Sequence, residues 1–168
     1  LAAMTAADAP RALTAALAAR PAGVDLTRFR QSFNLTAAEG AELWRESGVV
    51  IIDRGEGALA VTPAAWAALG EELCAALAAC HTAAPANAGA SQAELLRQLP
   101  GKRDANLVAA RLDALIESAA VLRDGALLRL PGHTAKTDPR DDALWRRVEP
   151  LLRVPDARVP VVHDMLAP

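Results

Sequence analysis

The chain carries the same passage twice. Glu46-Ser47-Gly48-Val49-Val50-Ile51-Ile52-Asp53, a turn of Arg54-Gly55-Glu56-Gly57, and Ala58-Leu59-Ala60-Val61-Thr62-Pro63 match a downstream counterpart. That counterpart is Glu117-Ser118-Ala119-Ala120-Val121-Leu122-Arg123-Asp124, Gly125, and Ala126-Leu127-Leu128-Arg129-Leu130-Pro131. In each copy two short apolar runs flank an Asp/Gly turn, the pattern of a β-hairpin. Asp124-Gly125 suits both central positions of a tight turn at positive φ, and the upstream hairpin loop reads as three residues longer. A period of roughly 70 residues is too long for a solenoid repeat and right for a small domain. The 168 residues are therefore read as a tandem array rather than one domain.

What precedes each hairpin has helical spacing. Asp8 is placed to cap a helix with Pro10 in its first turn and Leu13, Ala16 and Leu17 inward, ended by Arg20-Pro21-Ala22-Gly23. Asp25 caps a second helix with Leu26, Phe29 and Phe33 on one face. Asn34-Leu35 then turns the chain, and Thr36 with Glu39 forms the capping box of a third helix that carries Leu43 and Trp44. After the first hairpin, Thr62-Pro63 opens a long helix with Trp66, Leu69, Leu73, Leu77 and Cys80 at spacings of three and four. Ser91 with Glu94 caps the next, and Asp104 opens one that turns Val108, Leu112, Leu115 and Ile116 inward. The helices are expected near 9–19, 25–33, 36–47, 63–82, 91–99, 104–119 and 139–152, with hairpins near 49–62 and 121–130.

Three helices and then a hairpin, with a short turn between the second and third helices, is the order of a winged helix. The fold class is mainly α with small β-hairpins (α+β), arranged as tandem winged-helix domains: 8–62, 63–133 and a partial third at 134–168. The third opens at Asp138-Pro139 and is expected to bury Trp145, Val148 and Leu152, with a second helix over 160–167. Because Trp66 and Leu69 follow the first hairpin almost at once, the first two units are expected to pack as a rigid pair.

No stretch approaches the ~20 apolar residues of a membrane span. The N-terminus has no signal-peptide pattern, so a cytoplasmic location is expected. The chain reads as a fragment of a longer protein. Cys74 and Cys80 lie six apart, neither a redox nor a zinc spacing, and Cys74 with His81 cannot both reach one ion from a single helix. Core or surface roles are expected for all three, and no metal site is assigned.

Leu128-Arg129-Leu130-Pro131-Gly132-His133, followed by Leu144-Trp145-Arg146-Arg147-Val148-Glu149-Pro150-Leu151-Leu152, resembles the junction of the second and third winged helices in the SelB family of bacterial selenocysteine-specific elongation factors. Residues 17–34, with Val24-Asp25-Leu26 and Arg28-Phe29, are similar to the family's first winged helix, and 73–81 to the long helix opening its second. The resemblance implies a parent protein whose N-terminal part binds GTP, magnesium and selenocysteinyl-tRNA on the ribosome. It also implies a C-terminal arm whose last winged helix grips a selenocysteine-insertion hairpin in the mRNA. This chain corresponds to the connecting arm, with no cofactor and no catalytic residue of its own. Gly101-Lys102-Arg103 is its nearest approach to a phosphate-binding loop, and it lacks the upstream glycine and the hydroxyl residue.

Charge bears on what the arm can bind. Residues 1–128 carry 11 Lys or Arg against 14 Asp or Glu, and 129–168 carry 7 against 6, giving the net charge of −2. Nucleic-acid affinity comes largely from cations that neutralise phosphates, so the first two units start at a disadvantage. The third helices deepen it, since residues 36–47 set Arg45 against three glutamates and residues 104–118 set Arg111 against Asp104, Asp113 and Glu117. The candidate RNA phosphate contacts are Lys136, Arg140, Arg146, Arg147, Arg153 and Arg158. The competing reading is a solvated helix face balanced by Asp138, Asp141, Asp142 and Glu149. Lys102-Arg103 shares that ambiguity. His133 invites a catalytic reading, but His81, His133 and His163 are assigned to separate units and His133 to local backbone capping. A tandem winged-helix DNA-binding transcriptional regulator stands as the alternative function and an enzyme as a remote third.

Overall fold

The computed structural model describes residues 8–55, 57–101, 103–136 and 139–152. Unit one runs α1 (Ala9–Ala19), β1 (Val24–Asp25), α2 (Leu26–Ser32), α3 (Ala37–Glu46), β2 (Val50–Asp53) and β3 (Ala58–Val61). Unit two repeats that order as α4 (Pro63–Ala83), β4 (Ala90–Ser91), α5 (Gln92–Gln98), α6 (Ala105–Glu117), β5 (Leu122–Asp124) and β6 (Leu127–Arg129), and α7 (Pro139–Leu152) follows. Each unit closes a three-stranded antiparallel sheet, β1-β3-β2 and β4-β6-β5. This is the mainly helical α+β, winged-helix class that the pattern predicts.

Among the described residues the caps form where the sequence places them, with one exception. Asp25 Oδ1 accepts from the Arg28 N–H at 2.9 Å, and Thr62 Oγ1 accepts from the Ala65 N–H. Thr36/Glu39 and Ser91/Glu94 are both complete capping boxes. The hydrogen bonds from Thr36 and from Ser91 hold the Glu39 and Glu94 carboxyls below the usual carboxylate range. Asp8, by contrast, makes no side-chain cap to α1. Asn34, at φ 51°, makes the turn between α2 and α3.

Two corrections concern strands. Val24–Asp25 and Ala90–Ser91, read as loop and cap, also pair with β3 and β6: Val24 opposes Ala60 and Ala90 opposes Leu128. The second turn is shifted by one residue. Asp124 pairs with Leu127, so Gly125-Ala126 are the central pair and only Gly125 has positive φ, the requirement of a turn with glycine at its first central position.

The core explains why the units sit together. Leu26, Phe29, Phe33, Leu13, Leu17 and Leu43 fill unit one beneath Val24 and Ala60. Ile52, Leu59 and Val61 point through the opposite face of the same hairpin into the core of unit two, among Leu73, Leu77, Leu107 and Leu112. Period-two alternation makes this possible, because Ile52 opposes Leu59 and Val50 opposes Val61 on one face while Ile51 opposes Ala60 on the other. The first hairpin is thus a layer shared by both units. Burying a Val, Leu or Ile fully is worth about 1.5–3 kcal/mol, so Ile52, Leu59 and Val61 together make a substantial interface.

The expected burial of Trp145 is not found. It is 55% exposed and its neighbour Leu144 49%, because no other described element packs extensively on α7. Val148 is half-buried. The expected helix over 160–167 lies outside the described residues, as do Asp138 and the side chain of Leu152.

Candidate nucleic-acid interface

In a groove-reading winged helix the third helix of each unit supplies the reading surface. Here α6 turns Leu107, Val108, Leu112 and Leu115 into the core and packs against β2 of unit one. Its lone arginine, Arg111, folds back so that its guanidinium carbon stands 5.0 Å from the centre of the Trp66 ring, and its Nε is buried without a hydrogen-bond partner. Gly70 makes room for it: a Cβ there would fall 2.2 Å from Arg111 Nη2. Trp66 and Gly70 lie one helical turn apart on α4, so the arginine lies across one face of that helix. Near the start of α6, Asp104 caps through Oδ1 while its Oδ2 lies 3.3 Å from Arg54. In unit one, Arg45 on α3 faces Glu42 at 3.7 Å, with both side chains mostly exposed. Both third helices therefore present carboxylates, and their cations are already engaged.

Arg103 is engaged as well. Its Nη2 lies 2.7 and 3.0 Å from the two oxygens of Glu72, while Lys102 lies outside the described residues. A guanidinium held this way is not presented to phosphates.

Of the predicted contacts, Lys136, Arg140, Arg146 and Arg147 lie on or just before α7. Arg140, Arg146 and Arg147 are exposed, beside Asp141 and Asp142 in the first turn. Lys136 has an exposed side chain and a backbone N–H that donates to the Pro85 carbonyl at 2.9 Å. Arg153 and Arg158 lie outside the described residues.

The histidines correct the sequence reading. His81, at the end of α4, and His133, beyond β6, stack with ring centres 3.6 Å apart and planes within 4°. The Leu130 N–H donates to His81 Nε2 at 3.2 Å, so that nitrogen is unprotonated. His133 Nε2 lies 2.7 Å from the Asn87 carbonyl, which can only accept, so this nitrogen carries the proton. His133 does satisfy backbone, but across the fold rather than locally. Burial, and then the charges of His133 and Arg129, push the His81 pKa below its ordinary value. Arg129 Nη1 donates to the His133 carbonyl. The pair is a latch that ties the segment after β6 to the loop after α4. The His81–Leu130 bond of this latch joins residues 49 apart, which no local pattern shows.

Cys80 exchanges a hydrogen bond with Gln98, and both cysteines are free thiols. Among the described residues no group of three or more His, Cys, Asp or Glu could hold a metal ion, and no helix is long and apolar enough to cross a membrane.

A search of curated proteins returns no match. Residues 74–130, from the middle of α4 through the end of β6, match the family described as elongation factor SelB, winged helix. The matched stretch carries the closing hairpin, the capping box of α5 and the α6 core. The helix order, the hairpin and the sequence match agree over that span, so the second unit of this chain is similar to the SelB winged helices.

Proposed function

We propose that this chain is part of the C-terminal arm of a selenocysteine-specific elongation factor. In this reading the arm is a non-catalytic spacer that joins the part binding GTP, magnesium and selenocysteinyl-tRNA to the winged helix that grips the mRNA hairpin. It works in the cytoplasm, on the ribosome, and contributes no cofactor site. One observation carries the reading beyond the family match: β3 of the first hairpin is buried on both faces, with Ala60 in the core of unit one and Leu59 and Val61 in the core of unit two, so the two units share one strand as a continuous element. A spacer has to transmit position, and a shared core does that better than a flexible linker.

The DNA-regulator alternative needs an exposed cationic third helix. Here α6 is packed against β2 with Arg111 folded onto Trp66, and α3 carries three glutamates. Phosphate repulsion opposes entry of either helix into a groove.

Titrating this chain with a selenocysteine-insertion hairpin and with a scrambled hairpin tests the reading. Expected is equal, weak binding in the range of non-specific complexes, Kd around 10⁻⁴–10⁻⁶ M. Nanomolar binding selective for the insertion hairpin would overturn the spacer role.

A further inference from the structure

Unit one contains a groove of about 550 Å³ between α1, β1 and α2, within the roughly 300–1,000 Å³ typical of ligand sites. Its lining includes Arg20 from the end of α1, Arg28 from the first turn of α2 and Arg54 from the first hairpin loop, with Phe29 and Phe33 below them. Asp25 is the one carboxylate among the described residues of that lining, and it is already in use. Its Oδ1 accepts from the Arg28 backbone N–H, and its Oδ2 lies 3.9 Å from Arg54. Arg54 also reaches Asp104 at 3.3 Å. Arg20 and Arg28 are exposed and have no ion pair among the described residues. The groove is thus a local cationic excess within an acidic stretch, over a floor where Phe29 and Phe33 stack at 4.7 Å.

We propose that this groove binds a segment of single-stranded RNA, with phosphates on Arg20 and Arg28 and a base over the apolar floor. Two features together favour RNA over an acidic peptide. Arginine forks match phosphate oxygens, and an unstacked base supplies the flat apolar face that Asp and Glu side chains lack. The arginines stand above buried aromatics, so a base must leave its stack to reach the floor, which selects single strands over duplex. The proposal rests on the translation-factor reading for its choice of RNA. It moves the main anion contact away from α7 and into unit one, where sequence spacing gave no hint of it.

The test is fluorescence anisotropy of a labelled short oligouridylate with the native chain, R20A/R28A and R146A/R147A. Raising salt from about 50 to about 200 mM should weaken native binding roughly sevenfold, as two phosphate contacts on a single strand predict, but R20A/R28A binding hardly at all. R146A/R147A should keep the native salt dependence. Both substituted groove residues are exposed, and unchanged circular dichroism will confirm folding; each single variant should give about half the change in log slope. Native salt dependence in R20A/R28A, or its loss in R146A/R147A, overturns the groove. Polyglutamate of equal charge competing as well as oligouridylate assigns the groove to acidic peptides and overturns the RNA assignment. Selectivity of the native chain for the insertion hairpin would sink the spacer reading whatever the variants do, whereas weak unselective binding unchanged in R20A/R28A sinks only the groove.

Discussion

The two hairpins leave their units in different ways. The first passes straight into α4 through Thr62-Pro63, and its outer face, Ile52, Leu59 and Val61, is absorbed into the next unit's core. The second passes through Pro131-Gly132 into a segment held by polar contacts: the His81–His133 stack, the Arg129 bond to the His133 carbonyl, and the Lys136 bond to Pro85. Beyond it, α7 shows Trp145 to solvent. One repeat therefore builds two kinds of joint. An apolar joint is non-directional and gains from every buried methylene; a polar joint depends on a few oriented groups and on their protonation.

The largest effect should come from the apolar joint. Leu59 is 5% exposed and lies between Ile52 and the core of unit two. Leu59→Ala should cost about 2–5 kcal/mol, the range for cavities left in packed cores. Because that core is shared, urea unfolding followed at Trp44 in unit one and Trp66 in unit two should shift by the same amount. Trp145→Ala, on the exposed face of α7, should stay within about 0.5 kcal/mol. Separate transitions at the two tryptophans would break the contrast between the joints.

The glycines before the short strands sharpen the comparison at a middle scale. Gly23 has φ +111° and a Cβ there would fall 2.7 Å from Leu59 Cγ; at Gly89 it would fall 2.5 Å from the Leu128 carbonyl oxygen. Each glycine lets a two-residue strand approach its hairpin closely. Gly23→Ala combines backbone strain with displacement of Leu59 and should cost about 1–3 kcal/mol, carried into both units. Gly89→Ala presses on backbone that cannot turn aside, and its damage should stay in β4 and β6. Amide exchange checks the assignment: Gly23→Ala should loosen amides across β2, β3 and α6, while Gly89→Ala should leave those of β2 protected.

The same contrast explains what was legible in the sequence. Helix positions, the capping boxes at Thr36 and Ser91 and the inward Leu73, Leu77 and Leu112 follow from local spacing, because a cap and its partner lie three residues apart and an apolar stripe repeats every three or four. The strands at Val24 and Ala90 are too short to show alternation, and the residues that cap α2 and α5 masked them. The turn at Gly125-Ala126 lies one residue beyond Asp124-Gly125 because Asp-Gly suits either register. The histidine latch and the arginine groove join residues from separate elements, so no window along the chain contains them. Amphipathic spacing around Trp145 says that a face of α7 is apolar but not what covers it, and Trp145 is exposed.

The polar joint should yield the smallest effect, and one that pH can switch. His81 Nε2 accepts the Leu130 N–H only while it is unprotonated. Burial, His133 and Arg129 lower its pKa from the usual 6.5, so the latched state holds a proton less readily than the unlatched chain. By linkage, the latch is fully present above about pH 6.5 and is lost as pH falls through the depressed pKa. Amide protection at Leu130 and Lys136, corrected for intrinsic exchange, should therefore fall as pH drops from about 7.5 to about 5, while protection in β2 and β3 stays level. His81→Gln can offer a side-chain carbonyl to Leu130 at every pH and should flatten the response. If Leu130 keeps constant protection in the native chain over that range, the stacked rings are packing rather than a latch. If β2 loses protection in parallel with Leu130, the two joints are one cooperative unit and the distinction between them fails.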